Sequence, residues 1–387
     1  MTKRILILMS KTGGGHRASA EALKAGFAQL YGDAFEVEII DLLMDYLPWP
    51  VRELPKSYSF LAGTTPWLWR LLFQATDEQI TAATLNRMAA RVLGQSIAPA
   101  FTRYQPDLVI SVHPLVQYLS MRALKVMRLR IPFVTVVTDL ATVHPAWFHP
   151  RANLCFIPSQ EVYAAARKAR LTPEQIRLYG LPIRPMFATP PQRGPELRAR
   201  LQMNPDLPAA LLVGGGEGIG KVASIAHALD AHLRADGKQL GQMVIICGSN
   251  RKLYDEMSAR KWSVPVRVLG YVDNMAEWMA ACDCIVTKAG PGTIAEALTC
   301  GLPIMLSGFI PGQEEGNVPY VINHQVGAYR PEPEDIARLV TRWFGPERGE
   351  LARMAANARQ LGNPRATFHI VEDIAALLGD VPPSLAT

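Results

Sequence analysis

Apolar residues along the chain come in short runs separated by longer mixed stretches. Ile5–Met9, Val37–Ile40, Leu108–Val112 and Phe133–Val137 are short, apolar and rich in β-branched residues, a pattern that predicts buried strands. Between such runs, Ser19–Leu30 and Gln160–Ala169 carry helical spacing. Strands alternating with helices imply a parallel sheet covered on both faces. The rhythm stops at Gly180–Pro185 and the Pro- and Arg-rich stretch 190–208, which read as a linker, and restarts at Ala209–Val213. Further strands are predicted at Met243–Cys247, Val266–Leu269, Cys284–Thr287 and Pro303–Leu306. The fold class is therefore α/β: two Rossmann-like, doubly wound domains, 1–185 and 186–363, with the C-terminal stretch 364–387 packing back on the first. Ligands in such sheets bind beyond the carboxyl ends of the strands, so the two domains are expected to face an interdomain cleft. One segment breaks the pattern. Leu42–Asp77 holds Tyr46, Trp49, Tyr58, Phe60, Trp67, Trp69 and Phe73 among several prolines, unusual for a plain connector.

The length of 387 residues suits two domains of this size. Five cysteines at no metal-ligand spacing argue for a reducing compartment, and Cys282 and Cys284 read as core. No run approaches the ~20 apolar residues of a spanning helix, so any membrane work is done from the surface. The net charge of +6 is uneven. Residues 1–185 hold 21 Lys/Arg against 13 Asp/Glu, whereas 186–387 hold 19 against 21. A basic first half attracts an anionic surface, and no aromatic-interleaved basic motif points to nucleic acid.

Three glycine-rich turns carry candidate chemistry. Lys11-Thr12-Gly13-Gly14-Gly15-His16 follows the first strand and precedes a helix, so its backbone can approach a ligand closely. His16 ends this turn, where a near-neutral pKa and the positive helix end favour the unprotonated imidazole of a general base. A histidine that only bonds its own turn is the competing reading. The second turn, Gly214-Gly215-Gly216-Glu217-Gly218-Ile219-Gly220, has the form of an amide nest for a diphosphate. The third, Lys288-Ala289-Gly290-Pro291-Gly292-Thr293-Ile294-Ala295-Glu296, enters a helix that Thr293 is expected to cap, with Glu296 placed to accept ribose hydroxyls. Pro311–Asn317 adds amides and carboxylates suited to sugar hydroxyls. A nicotinamide fingerprint, Gly-x-Gly-x-x-Gly, is missing from the first turn, which makes Asp41 a poor ribose ligand.

These segments in this order resemble glycosyltransferase family 28, and within it the monogalactosyldiacylglycerol synthase and diacylglycerol glycosyltransferase group. The resemblance runs through Gly13–Ala20, Ser111–Pro114, Thr138–His149, Gly180–Pro185, Gly214–Gly220, Lys288–Ala297 and Gly312–Tyr320. It implies the GT-B fold, with His16 as catalytic base and Asp139 sharing or orienting its proton. It implies a UDP-hexose donor held by Gly214, Gly215, Gly216, Glu217, Gly218, Lys288, Gly290, Gly292, Thr293, Glu296, Gln313, Glu314 and Asn317. Gly14, Gly15, Pro50, His144 and Trp147 match positions that meet the lipid acceptor or anionic membrane lipid; His113 and His149 are secondary candidates. No Asp-x-Asp triplet exists, and Lys288 stands where retaining relatives carry glutamate, so inversion without a metal or other cofactor is expected.

The activity implied is transfer of galactose, or glucose, from a UDP-sugar to the sn-3 hydroxyl of 1,2-diacylglycerol. Rival readings are a polyprenyl-lipid acceptor of cell-wall synthesis, a non-catalytic nucleotide-sugar or lipid-binding protein, and a nicotinamide oxidoreductase. With the first strand starting at once, the expected setting is a peripheral enzyme on the cytoplasmic side of a bacterial membrane.

Overall fold

The computed structural model describes residues 2–10, 14–53, 79–214 and 221–379. The chain divides into two compact units. The first comprises Met1–Pro185, Ile310–Gly316 and Arg365–Thr387; the second comprises Met186–Phe309 and Asn317–Pro364. Most of the aromatic Leu42–Asp77 segment, including Tyr58, Phe60, Trp67, Trp69 and Phe73, lies outside the described residues, as do Lys11–Gly13 and Gly215–Gly220.

In the first unit, β1 (Lys3–Met9), β2 (Phe35–Asp41), β3 (Leu108–Ser111), β4 (Phe133–Val136), β5 (Leu154–Ile157) and β6 (Ile176–Leu178) form a parallel sheet. Their order is β2-β1-β3-β4-β5-β6. Alternation along β1 shows why both faces are covered. Ile5, Ile7 and Met9 enter one core with Phe27 of the helix Gly14–Tyr31 and Ile370 of the helix Ala366–Ala376. Leu6 and Leu8 enter the opposite core with Phe101, Leu119 and Leu124. A strand buried on both faces is apolar throughout rather than alternating, which is why it was legible as a run. The C-terminal helix packs on the first helix at Gly26, where a Cβ would come within 2.9 Å of the Thr367 methyl. Thr367 also fixes the chain at Ile183, donating to its carbonyl at 2.6 Å and accepting from its amide at 2.9 Å.

In the second unit, β7 (Ala209–Val213), β8 (Gln242–Ile246), β9 (Val266–Leu269), β10 (Cys284–Lys288), β11 (Ile304–Gly308) and β12 (Gly327–Tyr329) are also parallel. Their order is β9-β8-β7-β10-β11-β12. Ala210, Leu212, Ile245 and Val286 pack against Trp343, Phe344 and Met354 from the helices Pro333–Phe344 and Arg348–Leu361. Cys282 and Cys284 are wholly buried there, as expected of core thiols.

Each sheet has a switch point, where connections leave neighbouring strands in opposite directions, and ligands bind outside the carboxyl ends there. In the first it lies between β1 and β3; in the second, between β7 and β10. These strands lead into the Gly14–His16, Val112–His113, Gly214 and Lys288–Gly292 segments.

Candidate active site

In the first unit, the ends of β1, β3 and β4 bring together residues that are far apart in sequence. His16 sits in the opening turn of the helix Gly14–Tyr31, with its ring almost wholly buried. Its Nδ1 lies 2.7 Å from the hydroxyl of Thr138, two residues beyond β4. That hydroxyl lies 3.5 Å from the carbonyl oxygen of Val112, just beyond β3. The His113 ring meets His16 edge-on at 4.6 Å between centroids, and the Trp147 ring lies at 5.9 Å. Burial lowers the His16 pKa to about 4, against the opposing pull of the Val112 carbonyl. Burial, then the nearness of His16, holds His113 well below its usual value. Both imidazoles are therefore neutral at physiological pH.

The structure reassigns Asp139. Its carboxylate accepts from the Trp147 indole N–H at 2.6 Å and from the Gln313 side-chain amide at 3.4 Å. The group on the His16 imidazole is instead the neighbouring Thr138, which sequence reasoning missed because threonine carries no catalytic signature. Burial raises the Asp139 carboxyl to about 6; bonds from Trp147 and Gln313 oppose this, and the charge of Glu314 adds to it. Trp147, expected at a lipid surface, is corrected to the core: it is fully buried, and its indole serves Asp139.

His113, His144 and His149 share one local device. Each precedes a proline, and each Nδ1 accepts from the amide two residues on, at Leu115, Ala146 and Arg151. A residue before proline is held extended, as at His113 (ψ 135°) and His144 (ψ 139°), which sets the ring over that amide. His149 also packs on Tyr118, in keeping with a packing role. Asp41 caps the helix Leu42–Tyr46 by accepting from the Met44 amide, which disposes of a ribose role. Gly15 leaves open space where a side chain would stand, and Pro50 is exposed beside Trp49.

Gln313 and Glu314 belong to the first unit. Glu314 is buried and folds its own loop, accepting from the Ile310 amide at 2.9 Å. Gly312, at φ +78°, makes the turn that this loop requires.

In the second unit, Gly214 ends β7, while Gly215, Gly216, Glu217 and Gly218 lie outside the described residues. Lys288 closes β10, and Gly290 caps the helix Pro291–Thr299. Thr293 does not cap it, a further correction: the capping position is Gly290, which has no side chain to bond the helix start. Pro291 at the first position has no N–H to satisfy, and the amides of Gly292 and Thr293 precede the first helical bond, Ile294 to Gly290. Space above Gly292 is open, so an anionic group can approach these amides. Glu296 follows one turn later, partly buried. Asn317 is buried, and its amide donates to the Ala289 carbonyl at 2.9 Å, bracing the turn. Among the described residues no group of three His, Cys, Asp or Glu has the arrangement of metal ligands.

The sequence model of monogalactosyldiacylglycerol (MGDG) synthase matches residues 16–183, and that of the glycosyltransferase family 28 C-terminal domain matches 210–327. A probable chloroplastic MGDG synthase of Glycine max is 48% identical over 97% of this chain and 72% of its own length. The chain belongs to the monogalactosyldiacylglycerol synthase family. MGDG synthase 1 of Arabidopsis thaliana, also chloroplastic, is 48% identical over 97% of the chain and 71% of that protein. The crystal structure of Acinetobacter baumannii MurG superposes with a TM-score of 0.61 at 14% identity, covering 97% of this chain and 99% of MurG. The fold is GT-B, as the motifs imply. These family relatives overturn the expectation of a bacterial enzyme on the cytoplasmic side of a membrane, since they are chloroplastic proteins of plants. That expectation rested on where the first strand begins, which carries no information about compartment.

Proposed function

We propose that this protein transfers galactose from UDP-galactose to the sn-3 hydroxyl of 1,2-diacylglycerol with inversion, giving a β-linked monogalactosyldiacylglycerol. Membership of the MGDG synthase family carries this reading, and the names of the relatives favour galactose over glucose. His16 is the general base. Its support is a buried imidazole, neutral at physiological pH, at the switch point of the first sheet. It takes the acceptor hydroxyl proton as that oxygen attacks the anomeric carbon and the bond to UDP breaks. Charge on the departing diphosphate is met by the Gly214–Gly218 turn and the amides of Gly292 and Thr293, with Lys288 nearby; Glu296 takes the ribose. Gln313 and Glu314 read the hexose. No metal is invoked, in keeping with the absence of an Asp-x-Asp triplet, and chelator should leave the rate unchanged. Products from diacylglycerol with each UDP-hexose, separated by thin-layer chromatography, test the donor. His16→Ala should abolish turnover while UDP binding survives; normal turnover in that variant removes the base assignment.

An anionic bilayer is the proposed partner surface. On the helix Gln79–Leu93, Leu85, Met88 and Val92 share one face and are 48%, 58% and 78% exposed. Residues 79–130 carry seven Lys/Arg against a single acid, Asp107. Apolar side chains amid cations fit a negatively charged lipid interface. No helix among the described residues is long and apolar enough to cross a membrane.

A further inference from the structure

The hydroxyl of Thr138 stands between two groups whose proton inventories differ. On one side is His16 Nδ1 at 2.7 Å; on the other is the Val112 carbonyl oxygen at 3.5 Å. We propose that Thr138 is the positioning residue that selects the reactive nitrogen of His16, holding Nδ1 as the N–H and leaving Nε2 as the basic atom. Proton counting gives the direction. A carbonyl can only accept, and a hydroxyl has one hydrogen. With that hydrogen given to Val112, the hydroxyl lone pair accepts from the imidazole and Nδ1 carries the hydrogen; the same carbonyl also draws on the imidazole itself. Thr138 is itself buried, and no solvent competes for these bonds.

The neighbouring histidines make the contrast. At His113, His144 and His149, Nδ1 accepts from a backbone amide, which fixes hydrogen on Nε2 when the ring is neutral. With hydrogen on Nδ1, His16 carries its lone pair on Nε2, the opposite tautomer to the three bracing rings.

The inference rests on the reading of His16 as the base. In the transfer step the acceptor O–H proton moves to Nε2, the oxygen bonds to the anomeric carbon, and UDP departs with the bonding electron pair. The imidazolium so formed keeps its Nδ1–H on Thr138, a bond that strengthens as charge develops.

Full-length protein labelled with ring-15N histidine tests this, the His16 resonances being assigned by their loss in His16→Gln. Expected is the Nδ1–H form for His16 and the Nε2–H form for His113, His144 and His149. Thr138→Val should move His16 toward the Nε2–H form and lower kcat by roughly 10- to 100-fold, the worth of one hydrogen bond to a developing charge. The KM for UDP-galactose should stay unchanged, and Thr138→Ser should retain both the tautomer and the rate. An Nε2–H His16 in the wild-type protein overturns the proposal, and so does an unaltered kcat in folded Thr138→Val. Should that variant not fold, the wild-type tautomer and the Thr138→Ser rate still decide. If His16→Ala turns over normally, the base reading fails, while the spectra judge the tautomer independently.

Discussion

Replacing Asp139 by asparagine is expected to stabilise the protein at neutral pH. The Asp139 carboxylate is buried, and its bonds come from the neutral Trp147 indole and Gln313 amide. Its pKa rises from 3.8 to about 6, so the folded chain binds more protons than the unfolded chain between those values. Stability therefore falls as pH rises through that window, and the deficit persists above it. At 1.36 kcal/mol per pH unit the ionised group costs about 3 kcal/mol. Asparagine keeps an acceptor for Trp147 but brings an N–H₂ group of its own, and pairing that imperfectly returns about 1 kcal/mol of the gain. A net gain of about 1–2 kcal/mol corresponds to roughly 3–6 °C in Tm for a unit of this size. The assay is thermal melting of wild type and Asp139→Asn from pH 5 to 8.5. The two curves should converge at the acid end, where Asp139 is protonated, and separate with the variant higher above pH 6. Equal stability at pH 8, or a difference independent of pH, refutes the reasoning.

The buried histidines predict the opposite dependence. Burial lowers His16 and His149 from 6.5 to about 4, so each contributes stability that is complete above pH 6.5 and lost as pH falls toward 4, up to about 3 kcal/mol apiece. Urea titrations across that range should show a midpoint declining more steeply than Asp139 protonation restores it, and a flat midpoint counts against buried neutral rings. Gly316→Ala places a methyl against the Thr142 side chain and should raise the KM for UDP-galactose by displacing the Gln313 loop; Thr142→Gly in the same chain should recover part of the loss. Leu85→Ser with Met88→Ser and Val92→Ser should weaken sedimentation with phosphatidylglycerol vesicles about tenfold or more, leaving Tm unchanged because these side chains are exposed. Undiminished vesicle binding removes this helix from the proposed membrane face.

Strand positions were legible because parallel strands buried on both faces are uninterrupted apolar runs. Ala209–Val213 and Val266–Leu269 match to the residue, and β1 differs only in beginning at Lys3. β5, β6 and β12 were missed: two are three residues long, and β5 is a four-residue run with a cysteine among its apolar residues. The glycine turns and His16 were legible because close backbone approach leaves a compositional mark and a motif can be matched locally.

Partners of those residues were not legible. His16 and Thr138 are 122 positions apart, and Asp139 and Gln313 are 174 apart. Sequence alone determined that a histidine stands at a strand-to-helix turn and that an aspartate follows β4. Tertiary structure alone decided that the threonine before that aspartate meets the imidazole and that the aspartate turns to Trp147 and Gln313. The physical reason is alternation at a strand's end: adjacent side chains leave the chain in different directions, so Thr138 and Asp139 meet different neighbours. Which neighbour lies on each side depends on the order of strands in the sheet, a property no local window of residues contains.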